Sequence, residues 1–261
     1  MDILAMVGDR TLASALILLG AAALCYLPGG LNGAIIASNV FYGDDVREHG
    51  SGNAGLTNFY RTYGAKYAWC VILVDMGKAA ISAALGAWIF GPLGVVFGKY
   101  FAGFFCIVGH MFPLLYRFKG GKGILCSGMT LILLNWRVAL VCWGTFLLLW
   151  ATTKYVSLGS VCAAVALPVI TWVVYRGNDS FAAIFALSLL MAAMVLWAHR
   201  GKIQRLLSGA KYSNEIAAAV ASTAVKHFGE KNGKQLTYRA IISRYGQAEG
   251  LAIYGLIKKL L

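Results

Sequence analysis

The chain has 261 residues, 59% of them hydrophobic and 13% charged, with a formal net charge of +13. A charged share about half that of an average domain excludes an ordinary soluble protein and points to a helical integral membrane protein. Basic residues in so apolar a chain collect in its few loops, which suits membrane topology and phosphate-bearing partners; with no soluble basic module, nucleic acid is excluded.

The N-terminal stretch MDILAMVGDR lacks a basic leader region, so the first apolar run, 12–41, reads as a retained transmembrane helix. It is overlong and carries Pro28, Gly29 and Gly30, where a break or kink is expected. A polar, glycine-rich stretch follows, VREHGSGNAGLTNFYRTYG at 46–64. The next run, 67–90, holds Asp75 and Lys78 on one helix face, spaced to form an ion pair. An ionisable residue inside a span marks either a functional site or a structural pair turned into the bundle. Further apolar runs cover 93–116, 123–134, 138–152, 157–175 and 181–198, the 123–134 run being short for a crossing. The expected fold is therefore an all-α bundle of about seven transmembrane helices over residues 1–211. From 212 to 261 the sequence becomes mixed and amphipathic, as expected of a short helical C-terminal extension, cytoplasmic or on the membrane surface. The six cysteines are scattered, without CxxC spacing or a histidine at ligand spacing, and read as packing residues.

With seven spans, one set of connectors holds Arg47, Arg61, Lys66, Arg117, Lys119, Lys122, Lys154 and the tail from Arg200. The opposite set holds only Arg10, Arg137 and Arg176. The basic set is expected in the cytoplasm, with the N-terminus outside and the C-terminus inside.

Four constellations fall on that basic face. In the first, Gly50-Ser51-Gly52-Asn53 supplies a glycine turn with side-chain donors, flanked by Arg47 and Arg61, whose guanidinium groups suit bidentate phosphate contacts. In the second, GHMFPLLYRFKGGKGILCSG at 109–128, Lys119-Gly120-Gly121-Lys122-Gly123 precedes an apolar helix, whose N-terminus favours an anion. It lacks Walker A spacing, so nucleotide hydrolysis is not read here. His110 in this stretch is either an acid or base or a hydrogen-bonded helix residue. The third, KYVSLGS at 154–160, offers Ser157, by default an N-cap. The fourth, AHRGKIQRLLSG at 198–209, brings His199 and Lys202 just past the last span.

The order of DVREHGSGNAGLTNFYRTYG, VGHMFPLLYRFKGGKG, KYVSLGS and HRGKIQRLLSG closely resembles the bacterial acyl-phosphate:glycerol-3-phosphate acyltransferases, from about Tyr26 to Gly209. VDMGKA at 74–79 also looks like the family's Asp and Lys of the second span. The resemblance implies a multi-pass inner-membrane enzyme with its active site facing the cytoplasm. Acyl phosphate would be the donor, glycerol 3-phosphate the acceptor, and lysophosphatidate and phosphate the products. No cofactor or metal is implied. By resemblance, Ser51, Asn53, Arg61, Lys122 and His199 are the catalytic candidates. Arg47, Gly52, Lys119, Gly120, Gly121, Gly123, Ser157 and Lys202 are the phosphate-binding candidates, and His110 a candidate acid or base.

The likeness departs in four places. The family's serine near the end of the first span is Gly30, a Thr after the glycine-lysine motif is Cys126, an Asn in the last motif is Lys202, and a Glu after it is Lys211. Two other readings stand beside the enzyme. One is a weak or inactive relative that binds lipid phosphates. The other is a small-anion transporter, suggested by Asp75 and Lys78 in a span, though no inverted repeat is visible.

Overall fold

The computed structural model describes residues 11–92 and 94–207. The chain divides into two compact units, Met1–His199 and Arg200–Leu261. The expected C-terminal extension and Lys211 lie outside the described residues, whose regular elements are all helices. The helices are α1 (Thr11–Gly29), α2 (Gly33–Tyr42), α3 (Leu56–Tyr63), α4 (Ala68–Ile89), α5 (Val95–Met111), α6 (Ile124–Leu134), α7 (Trp136–Thr153), α8 (Val156–Tyr175) and α9 (Phe181–Leu207). Short 3-10 turns stand at Val46–Glu48 and Leu114–Tyr116.

Among the described residues, six segments are long and apolar enough to cross a membrane: Ala15–Tyr42, Ala68–Ile89, Val95–Tyr116, Trp136–Thr153, Val156–Tyr175 and Phe181–Gln204. The seventh run forms α6, which has only 11 residues. That is about 16 Å of helix against a hydrocarbon core of about 30 Å. It nevertheless reverses the chain. Gly121 and Gly123 lie beside His110, Gly103 packs on Thr130, and the Lys99 ammonium donates to the Leu133 carbonyl at 2.9 Å. Numbers fall along α5 as they rise along α6, so the two are antiparallel.

The alternation continues. Trp143 Nε1 donates to the Gly128 carbonyl at 3.1 Å, which folds α7 back on α6 about Asn135. Asn135 caps α7 through its side chain, which accepts from the Arg137 amide. Gly159 meets Phe146 across the α7–α8 hairpin. Trp172 packs on Phe181 and Phe185 across the α8–α9 turn, and Trp197 reaches Phe112 at 5.5 Å at the far end of α9. The connectors after α2, α5 and α7, together with His199, therefore share one end of the bundle.

The expected break in the first run occurs after Gly29. Asn32, fully buried, restarts the helix: its Oδ1 accepts the Ala34 and Ile35 amides at 3.1 and 3.0 Å. Its Nδ2 donates to the Ala54 carbonyl at 3.1 Å. The expected ion pair also forms, with Lys78 Nζ 2.9 Å from Asp75 Oδ1. The last helix runs further than the sequence suggests, to Leu207.

Apolar side chains exposed on the bundle, such as Leu19, Trp88 and Leu148, suit contact with lipid. Between the helices the packing is set by small residues, as in other membrane bundles where burial from water supplies no drive. One close approach is α4 on α5. Gly86 and Gly98 face each other backbone to backbone, and a Cβ on Gly86 would stand 2.5 Å from Ala102 Cβ and 2.9 Å from the Gly98 carbonyl carbon. Gly86→Ala must part the helices, an overpacking cost of about 1–3 kcal/mol. Its thermal midpoint in detergent should fall. Gly144→Ala on α7, with nothing within 4 Å of the new Cβ, should leave the midpoint unchanged or raise it.

Candidate active site

The first polar stretch folds over a small apolar floor of Val46, Ala54 and Phe59, packed on Ile35 and Val71. Asp45 caps the 3-10 turn by accepting the Arg47 amide at 2.9 Å. Arg47 returns the contact as an ion pair at 2.6 Å. Its Nη1 also donates to the carbonyls of Tyr116 and Lys119 at 3.1 and 3.2 Å. The guanidinium hydrogen bonds hold the Asp45 carboxyl below its ordinary range, and Asp45 in turn raises Arg47. Arg47 is thus a strut between the two polar loops. Its fork is engaged with protein atoms, unlike the open phosphate ligand expected of it.

Asn58 shapes the Gly50–Asn53 turn. It is buried, with Nδ2 donating to the Val46 and His49 carbonyls at 2.9 and 3.0 Å and Oδ1 accepting the Ser51 amide at 3.0 Å. Gly50 and Gly52 adopt left-handed φ of 56° and 67°. The Gly52 amide donates to the His49 carbonyl at 3.0 Å. The amides of Ser51 and Gly52 are therefore spent inside the turn. What this loop offers a ligand is side chains: the exposed Ser51 hydroxyl, Asn53, and the exposed Arg61 on α3.

The second loop is pressed against the first. A Cβ on Gly121 would collide with the Ala54 carbonyl and with His110 Nε2, and one on Gly120 with the His110 carbonyl. Only glycine permits this approach. The Gly120 and Gly121 amides donate to the Met111 and His110 carbonyls at 3.2 and 3.1 Å, closing the end of α5. These glycines therefore serve packing, where sequence suggested a backbone cradle for an anion. Gly123 takes a left-handed φ of 74° to start α6. The first-turn amides of Ile124, Leu125 and Cys126 keep no backbone acceptor. The helix N-terminus is the anion-favouring element that remains. Half-buried Lys122 and exposed Lys119 flank it, and the Ser127 hydroxyl in the same turn is buried without a partner.

Beneath the loops lies a buried cluster. The Lys78 ammonium bonds Asp75 Oδ1 at 2.9 Å, His110 Nδ1 at 2.7 Å and the Leu31 carbonyl. Asp75 Oδ1 also accepts the Gly33 amide at 3.1 Å. Single atoms of Asp75, His110 and Cys126 lie within 4.8 Å of one another, a spacing compatible with a metal. The ammonium already stands between two of these groups and supplies the positive charge itself. His110, an acid or base candidate from sequence, is buried in this cluster.

Ser157 is buried in the first turn of α8, whose cap is Tyr155, so the serine is not the N-cap. His199 is buried on α9, with Nδ1 2.9 Å from the Val195 carbonyl. A carbonyl only accepts, so Nδ1 carries a proton. Lys202 is half-buried in the second unit. Sequence reasoning missed Asn58 and Asn32. Both are buried amides that hold loop backbone, and a polar residue beside apolar ones in a glycine-rich stretch was the available signal.

A family profile described as glycerol-3-phosphate acyltransferase matches residues 19–209. Curated relatives with that name include one from Finegoldia magna, 38% identical over 194 residues, covering 74% of this chain and 93% of the relative. Another, from a Synechococcus species, is 39% identical over 199 residues, covering 76% and 94%. Two solved structures share the fold. One is the integral membrane glycerol 3-phosphate acyltransferase PlsY in its glycerol 3-phosphate form, 29% identical with a TM-score of 0.63, covering 74% of this chain and 92% of that one. The other is its lysophosphatidic acid form, 27% identical with a TM-score of 0.62 and the same coverage.

Arg47→Met should loosen both loops, seen as faster amide exchange across 45–64 and 113–119. The pH dependence follows from Asp45, whose folded pKa lies below its ordinary 3.8. Its stabilisation is complete above that value and is lost as pH falls through the lower folded one. The gap in thermal midpoint between wild type and Arg47→Met should stay constant from about pH 7 to 5 and close only below about pH 4.

Proposed function

The chain belongs to the glycerol-3-phosphate acyltransferase family, and from that membership we propose that it forms lysophosphatidate from glycerol 3-phosphate with acyl phosphate as the donor. The observation that carries the reading is the contact of the two polar loops. Ala54 and Gly121 touch, so their neighbours Asn53 and Lys122 flank one seam beside the open N-terminus of α6. Both substrates bear phosphate, and a seam rich in cations and side-chain donors fits that need.

The reaction is attack of the sn-1 hydroxyl on the carbonyl carbon of a mixed anhydride. The new ester C–O bond forms, the acyl–phosphate C–O bond breaks, and inorganic phosphate leaves. Phosphate is a good leaving group, so no acyl-enzyme is required. Positioning and charge stabilisation carry the rate. In this reading Lys122, Lys119, Arg61 and the first-turn amides of α6 neutralise phosphate charge, Ser51 and Asn53 orient the glycerol or the carbonyl, and Ser157 and His199 extend the polar site. A substrate phosphate oxygen takes the hydroxyl proton. The basic connectors lie in the cytoplasm of a bacterial inner membrane, with the acyl chain entering from the bilayer.

The test is phosphate release by purified protein in lipid, given acyl phosphate with and without glycerol 3-phosphate. Acceptor-dependent release with lysophosphatidate formed is expected, and Lys122→Ala should lower kcat/KM by about 10²–10³. Binding of both substrates without turnover would instead establish a non-catalytic phosphate binder. Flux of glycerol 3-phosphate into sealed vesicles without acyl transfer would establish a transporter.

A further inference from the structure

We propose that Lys78 is a positioning residue for the reaction, acting through His110 on the Gly120–Gly123 loop; the proposal rests on the reading that this loop borders the substrate site. An ammonium has three N–H donors. Here they meet three acceptors: the Leu31 carbonyl, Asp75 Oδ1 and His110 Nδ1. Since Lys78 donates to Nδ1, the remaining imidazole proton sits on Nε2. Nε2 faces the Gly121 backbone, close enough that a Cβ there would collide with it. The His110 carbonyl accepts the Gly121 amide at 3.1 Å. His110 therefore touches Gly121 from two sides, by its ring edge and its carbonyl, while Lys78 locks the ring from behind.

The same ammonium fixes the break between α1 and α2, through Leu31 directly and through Asp75 to the Gly33 amide. Asn32, inside that break, holds the Ala54 carbonyl, the other group against which Gly121 is pressed. Both walls of the seam are thus referenced to one nitrogen. This assigns His110 a wedge role, with its Nε2 edge against Gly121 and its Nδ1 held by Lys78, in place of a base acting through Nε2.

The two roles separate chemically. Asn places an amide oxygen where Nδ1 stands and keeps the third acceptor for Lys78. Gln reaches towards the Nε2 position and leaves Nδ1 unreplaced. Neither amide is a base. Purified His110→Asn, His110→Gln and Lys78→Met are compared with wild type in lipid for kcat, KM for glycerol 3-phosphate and pH profile. The expectation is that His110→Asn, which loses the edge against Gly121, His110→Gln, which loses the acceptor for Lys78, and Lys78→Met each raise KM by about tenfold or more, a larger change than in kcat, with the pH profile of wild type. Equal loss of kcat in both amide variants at unchanged KM would make His110 a base and overturn the proposal. So would wild-type kinetics in both His110→Gln and Lys78→Met. If Lys78→Met does not fold, the Asn and Gln pair decides alone. If wild type itself makes no lysophosphatidate, the proposed function fails, and calorimetry with glycerol 3-phosphate still tests the positioning: His110→Asn and His110→Gln should both bind more weakly than wild type, whereas equal binding by all three would sink it.

Discussion

The ammonium of Lys78 is the point to which the rest of the site is referenced. A charge buried in a membrane bundle is tolerated only when its partners are complete. Those partners come from three separated parts of the chain: the helix break at Leu31, Asp75 one turn away, and His110 at the end of α5. Removing one partner of a buried ion pair costs about 3–5 kcal/mol in soluble proteins, because the other is left uncompensated. Apolar replacement of the whole pair would still strand the Leu31 carbonyl and the Gly33 amide. The cluster therefore specifies where α1 stops and α2 begins, as well as neutralising itself.

From that anchor the polar surface is built by close approach. Glycine allows the Lys119–Gly123 loop to lie against Ala54 and His110, and Arg47 ties the same loop to the first through two carbonyls. Most loop amides are consumed in this bracing. Under the proposed function, phosphate falls to cationic side chains, hydroxyls and the start of α6. This division fits the proposed function, in which two anions are held at a fixed separation beside an apolar bundle. Backbone supplies rigidity, and cationic side chains supply charge.

Much of this was legible in the sequence. Apolar run lengths located the six long spans, Pro28–Gly30 marked the break, and the spacing of Asp75 and Lys78 forecast their contact. The motif order pointed to the family that the profile match identifies. Other features were not legible because they depend on which distant groups meet. Nothing local pairs His110 with Lys78, 32 positions apart. Glycines in a basic loop suggest a phosphate cradle, whereas tertiary packing uses Gly120 and Gly121 to admit a neighbouring imidazole and carbonyl. Arg47 looks like a ligand until its fork is seen on Asp45, Tyr116 and Lys119. Buried Asn58 is one of several polar residues in its stretch, and only the fold shows that it holds the turn.

The most direct test is amide hydrogen exchange on wild type and Lys78→Met in lipid nanodiscs. If one ammonium references both walls of the seam, protection should fall together at 31–35 and at 120–124, two segments far apart in sequence, while α7 and α8 keep theirs. A change confined to the neighbours of Lys78 on α4, or to only one of those segments, would contradict the account.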